Sequence, residues 1–74
     1  MEKFDISVII PSYNRADMLV KVLELLSRQT YPRDRFEVIV SDDGSRDGTE
    51  DAVKRMQLRA PYSLTYLKQR NAGP

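Results

Sequence analysis

Two residue types that carry much of enzyme chemistry are missing from this chain. It has no cysteine and no histidine among 74 residues. That excludes disulfides, thiolate nucleophiles, histidine general bases and the usual zinc sites. A chain without cysteine also fits a reducing compartment. No apolar run approaches the roughly 20 residues that a membrane span requires. The start, Met1-Glu2-Lys3-Phe4-Asp5, is charged and leads into a run too short for a secretory signal. The expected location is the cytoplasm, or the cytoplasmic face of a membrane in a longer parent protein. No basic tract stands out, and 12 Lys and Arg against 11 Asp and Glu leave a net charge of +1. Nucleic acid is therefore not suggested as a partner. Internal repeats and low-complexity segments are absent as well. A chain of this length makes at most one small domain, which buries only roughly 60% of its unfolded surface.

What is present alternates in type. Ile6-Ser7-Val8-Ile9-Ile10 reads as a short β-branched strand ended by Pro11. Ser12-Tyr13-Asn14-Arg15 follows as a tight loop. Asn14 is placed to cap the next helix, with Asp17 as its reciprocal partner. That helix is expected from Ala16 to Arg28, because Leu19, Val22, Leu23 and Leu26 form an apolar stripe. Pro32 forbids its continuation through the return loop. Phe36 to Ser41 is a second strand, breaking into Asp42-Asp43-Gly44-Ser45. Asp47 then reads as an N-cap with Glu50 three residues on, and Thr49, Val53 and Met56 give a second stripe. Pro61 stops this helix, and Tyr62 to Leu67 reads as a third, edge strand. Tyr31, Tyr62 and Tyr66 read as packing or interfacial residues.

Strand, helix, strand, helix, strand is the parallel α/β pattern. Right-handed crossovers place both helices on one face and leave the other face without a cover in these residues. The expected sheet order is 3-2-1.

Ligands of open α/β sheets bind outside the carboxyl ends of the strands. Two loops meet there: Pro11-Ser12-Tyr13-Asn14 and Asp42-Asp43-Gly44-Ser45. A tyrosine ring offers a face for stacking a nucleobase, and a carboxyl group accepts ring N–H bonds. Ordinary turn chemistry accounts for the same residue types. The two adjacent carboxyl groups also invite a metal reading, since hard cations take oxygen ligands. Neighbours on a strand point in opposite directions, however, so only one of the pair is expected to face the cleft. Gly44-Ser45-Arg46-Asp47-Gly48-Thr49 matches neither the P-loop nor the dinucleotide fingerprint, and helix capping explains it better.

Taken together, Ser7 to Arg15, Leu26 to Pro32 and Glu37 to Thr49 resemble the start of a family 2 glycosyltransferase. Arg70-Asn71-Ala72-Gly73-Pro74 resembles that family's next segment. Three motifs in order and at the right spacing make this far more specific than any one of them. The resemblance implies a truncated, Rossmann-like half of a GT-A-type fold, with residues 1–74 as the N-terminal part of a nucleotide-sugar-binding domain. It implies an inverting transfer from a nucleotide diphosphate sugar, usually a uridine diphosphate sugar, to an acceptor hydroxyl. By matching position, Pro11 and Tyr13 line the base pocket, Asn14 lies in the same loop, and Asp43 accepts the uracil N–H. Asp42 is secondary and steadies the loop, while Arg70 and Asn71 lie near the nucleotide or diphosphate. The family's divalent metal, Mg2+ or Mn2+, and its general base belong to later motifs. No Asp-x-Asp follows the Asp43 loop here. The catalytic residues and metal ligands are thus expected beyond residue 74, and the fragment alone is expected to be inactive. The bare first strand is expected to invite self-association through Ile6–Ile10. A non-catalytic α/β module is the alternative. A sugar-phosphate nucleotidyltransferase is disfavoured, because the first loop lacks that group's glycine-rich signature.

Overall fold

The computed structural model describes residues 3–70. The elements run β1 (Ile6–Ser12), α1 (Ala16–Leu26), β2 (Phe36–Asp42), α2 (Thr49–Gln57) and β3 (Ser63–Lys68). The three strands are parallel in the order β1-β2-β3, as the alternation of elements predicts. Register is continuous: Val8 lies opposite Val38, Ser12 opposite Asp42, and Val40 opposite Tyr66.

One face of the sheet holds the core. Phe36, Val38 and Val40 of β2 are buried with Leu19 and Leu23 of α1, Val53 and Met56 of α2, and Tyr62. Both helical stripes fall where the apolar spacing puts them. The aromatic side chains close the amino end of the sheet. The Phe36 and Tyr62 rings lie 5.3 Å apart, and the Tyr62 hydroxyl donates to the Leu23 carbonyl at 2.7 Å. The opposite face has no helix among the described residues, and Ile9 there is 64% exposed.

The helix boundaries differ from expectation for local reasons. α1 stops at Leu26 rather than Arg28, with Ser27 as its C-cap donating its hydroxyl to the Glu24 carbonyl at 2.6 Å. Asn14 does not cap α1. It adopts φ 49°, and the N-cap position is Arg15, without a side-chain bond. The first amide of α1 is held instead across a loop, by Asp47 Oδ2 accepting from Ala16 N at 3.1 Å. Nor is Asp47 the N-cap of α2. That position is Gly48, whose φ of 88° suits a residue without a Cβ. Asp47 Oδ1 still accepts the Thr49 amide and hydroxyl, so it serves both helices. Glu50, expected to complete a capping box, pairs with Lys54 at 2.9 Å and Lys68 at 3.2 Å.

Pro11 does not end β1 but lies inside it, opposite Ser41. The Ser12 carbonyl accepts the Asp43 amide at 2.9 Å, so Ser12 directs its main-chain groups toward β2. Alternation along a strand then turns Pro11 toward the open edge, where a missing N–H breaks no bond within the sheet.

Leu23→Ala should lower the unfolding free energy by about 2–5 kcal/mol. Ile9→Thr on the open face should change it by less than about 0.5 kcal/mol. Urea unfolding compares the two. Acid should also destabilise the fold. Asp47 is held below its ordinary value of 3.8, first by the Thr49 hydroxyl and then by the Ala16 amide. Its contribution is present above the unfolded value and is lost as pH falls through the lower folded one. Unfolding midpoints followed from neutral into acid should fall less steeply in Asp47→Asn than in the wild type.

Candidate functional site

The carboxyl ends of all three strands meet at one rim of the sheet. The β1 loop reaches the β2 loop there through main chain and side chains together. Asn14 N donates to Ser45 Oγ at 2.7 Å, and Arg46 N donates to Asn14 Oδ1 at 2.8 Å. The left-handed conformation of Asn14 lets its amide and its side chain face the same neighbour, which asparagine tolerates better than most residues. Asn14 therefore joins the two loops rather than facing the cavities described next.

Asp42 and Asp43 part company as strand alternation predicts. Asp42 is fully buried. Its Oδ1 accepts the Ser45 amide at 3.2 Å and the Ser45 hydroxyl, and its Oδ2 accepts the Tyr66 hydroxyl. Burial, then the bond to Asp42, pushes the Tyr66 phenol well above its ordinary range, so it remains a donor. Asp42 thus holds Ser45 of its own loop and Tyr66 of the next strand. Asp43 points the other way, toward Gln69, whose Nε2 donates to Asp43 Oδ1 at 3.4 Å.

Two cavities adjoin here. The first, of about 680 Å³, is lined by Pro11, Ser12, Tyr13, Ser41, Asp43 and Gln69 among others. It brings together Pro11, Tyr13 and Asp43. The Tyr13 ring is half exposed, with a face free to stack. The Ser12 hydroxyl is buried without a protein partner. The second cavity, of about 630 Å³, includes Gly44, Ser45, Arg46, Lys68 and Arg70. Tyr13 and Gln69 line both cavities and form the ridge between them. Three cationic side chains thus gather beside the apolar pocket. Arg70 lines this second cavity, and Asn71 lies outside the described residues.

The carboxyl pair does not fit a metal centre. Both oxygens of Asp42 already have protein donors, and its neighbour Asp43 points away from it, toward Gln69. Among the described residues, no group of three or more acidic side chains converges.

Tyr66, Gln69, Arg46 and Lys68 were not singled out from sequence. For Gln69 the signal existed. It follows the last residue of β3, and the rule that selected the Tyr13 and Asp43 loops applies equally to that strand end. Tyr66 carried no such signal, since a strand tyrosine reads as packing until register sets it beside Asp42.

Tyr66→Phe leaves the buried Asp42 carboxyl one donor short. It should cost about 1–3 kcal/mol in urea unfolding and speed amide exchange at Ser45.

The model of the family described as "Glycosyl transferase family 2" matches residues 7–74. Validoxylamine A glucosyltransferase of Streptomyces hygroscopicus subsp. jinggangensis is 46% identical over 68 residues, which cover 92% of this chain and 16% of that protein. The poly(ribitol-phosphate) beta-N-acetylglucosaminyltransferase TarS of Staphylococcus aureus is 35% identical over 74 residues, covering 100% of this chain and 13% of that protein. The chain therefore spans about one sixth or less of the length of these two relatives. Among solved structures, the mannosyltransferase PcManGT from Pyrobaculum calidifontis, in complex with GDP-Man and Mn2+, superposes with a TM-score of 0.84 at 34% identity. It is matched over 100% of this chain and 22% of that one. The parallel three-stranded sheet is thus that of a GT-A-like half, and the chain belongs to glycosyl transferase family 2.

Proposed function

We propose that these residues bind the donor nucleotide of an inverting glycosyltransferase that passes a sugar from a uridine diphosphate sugar to an acceptor hydroxyl. The observation that carries this is the meeting of Tyr13 and Asp43 in one cavity, with Arg46, Lys68 and Arg70 lining the next. The base stacks on Tyr13 against Pro11, and Asp43 accepts a ring N–H. The diphosphate lies over the ridge beside Arg46 and Arg70, which offset its charge. A structural neighbour solved with GDP-Man supports a nucleotide sugar as the ligand class.

In this proposal the chain alone does not catalyse transfer. The acidic residues that follow Asp43 have structural partners: Asp47 holds Ala16 and Thr49, and Glu50 holds Lys54 and Lys68. Asp51 is an exposed residue of the α2 surface. In this reading none of these three serves as the base that deprotonates an acceptor hydroxyl. The general base and the ligands of a divalent metal then belong to sequence outside these residues.

Titration with uridine diphosphate, followed by amide shifts of isotope-labelled protein, tests the reading. Shifts should concentrate in the Tyr13 and Asp43 loops and weaken as salt is raised. Asp43→Ala should reduce affinity roughly tenfold or more, as for loss of a hydrogen bond to a charged group. No response, with Mn2+ present or absent, would favour a non-catalytic α/β module.

A further inference from the structure

The two edges of the sheet are guarded unequally. Gln69 N donates to the Asp42 carbonyl, so alternation along β3 turns the Leu64 main chain outward. The Leu64 carbonyl accepts from Gln57 Nε2 at 2.9 Å, and Lys68 of the same strand pairs with Glu50. Occupied carbonyls and charged residues blunt an edge against further strands. Among the described residues, nothing covers the outer edge of β1. Ser12 directs its main-chain groups toward β2, so Ser7 and Ile9 direct theirs outward.

α1 overhangs that bare edge with a second apolar stripe. Met18, Val22 and Leu25 follow i, i+4, i+7 spacing, and Met18 and Leu25 are 56% and 65% exposed. Glu24 and Ser27, on the opposite flank of the helix, share a cavity with Met56 of α2, whereas Met18 shares one with Ile10 of β1. Beside the stripe lie Ile6, Val8 and Ile10, each exposed or half-buried.

Strand and stripe are symmetric about one point. α1 runs antiparallel to β1, so Leu25 lies toward Ile6 as Met18 does toward Ile10. Met18 and Leu25 are about 10.5 Å apart along the helix. Ile6 and Ile10 are about 13 Å apart along the strand, so the two midpoints coincide near Val8. A two-fold axis beside Val8 sets Ser7 against Ile9 of a second copy, and each such pair exchanges two main-chain bonds. Val8 then faces Val8, and Ile6 faces Ile10. An axis beside Ile9 would instead set the Ser7 carbonyl against Pro11, which has no N–H. With strands about 4.8 Å apart, the two copies of α1 lie about 10 Å apart, the spacing of packed helices. Each of six sides of a 5405 Å² surface averages about 900 Å², against roughly 800 Å² per partner in a standard interface.

We propose that this chain forms a closed two-fold dimer with a second copy, through the β1 edge and the Met18, Val22 and Leu25 stripe. The two surfaces are self-complementary, as an isologous interface requires.

Sedimentation velocity from micromolar to millimolar concentration tests this. The chain should pass from monomer to dimer and stop there, and the Ser7 and Ile9 amides should exchange more slowly as the dimer forms. Leu25→Lys changes an exposed position, so its circular dichroism should match the wild type, while the dimer weakens tenfold or more. Leu67→Thr, on the open face away from the axis, should leave the dimer unchanged. A monomer throughout, association that continues past the dimer, or Ser7 and Ile9 amides as fast in the dimer as in the monomer would overturn the proposal. So would a dimer lost in Leu67→Thr but kept in Leu25→Lys.

Discussion

The buried carboxyl group of Asp42 is the constraint on which the candidate site depends. A carboxyl group removed from water is costly unless its oxygens find donors. Here the donors come from two directions. Ser45 bends the β2 loop back to supply its amide and hydroxyl, and Tyr66 supplies its phenol from the neighbouring strand. The β2 loop is thereby folded against its own strand end. Ser45 in turn accepts from Asn14, which carries Tyr13 one residue earlier. The position of the tyrosine ring is therefore tied, through the Ser45 hydroxyl and the Asn14 main-chain amide, to a residue that never faces the cavity.

The same economy appears in the helices. Asp47 lies in one loop yet binds the first amide of α1 and the first residue of α2. Two helix starts share one carboxyl group because right-handed crossovers bring both of them to the same rim. The helices then pack on each other and on Val38 and Val40, so the core and the site are two ends of one arrangement. Cationic side chains collect on the rim, while Asp5 and Arg35 pair at 2.7 Å beyond the opposite, amino end of the sheet.

Much of this was legible in the residues. The β-branched runs, the two apolar stripes and the prolines at 32 and 61 specify five elements in order, and alternation of side chains separates Asp42 from Asp43. The capping was not legible. Asn14 and Asp47 are good cap residues in local terms, but the Asn14 side chain bonds to another loop and Asp47 divides its bonds between Thr49 and Ala16. Single-sequence reasoning sees neighbours within a few positions, whereas Asn14 and Ser45 are 31 residues apart. Tyr66 was hidden for the same reason, since register between β2 and β3 decides what it meets.

Pro11 places a limit on what can stand beside this site. A strand added along the open edge of β1 would find main-chain donors at Ser7 and Ile9 but none at Pro11. Such a ladder would lapse just before the strand gives way to the Tyr13 loop. An incoming strand could lengthen the sheet without gripping the loop that carries the ring. The proline therefore uncouples the growth of the sheet from the shape of the cleft, and leaves Asn14 to moor Tyr13 from the other side.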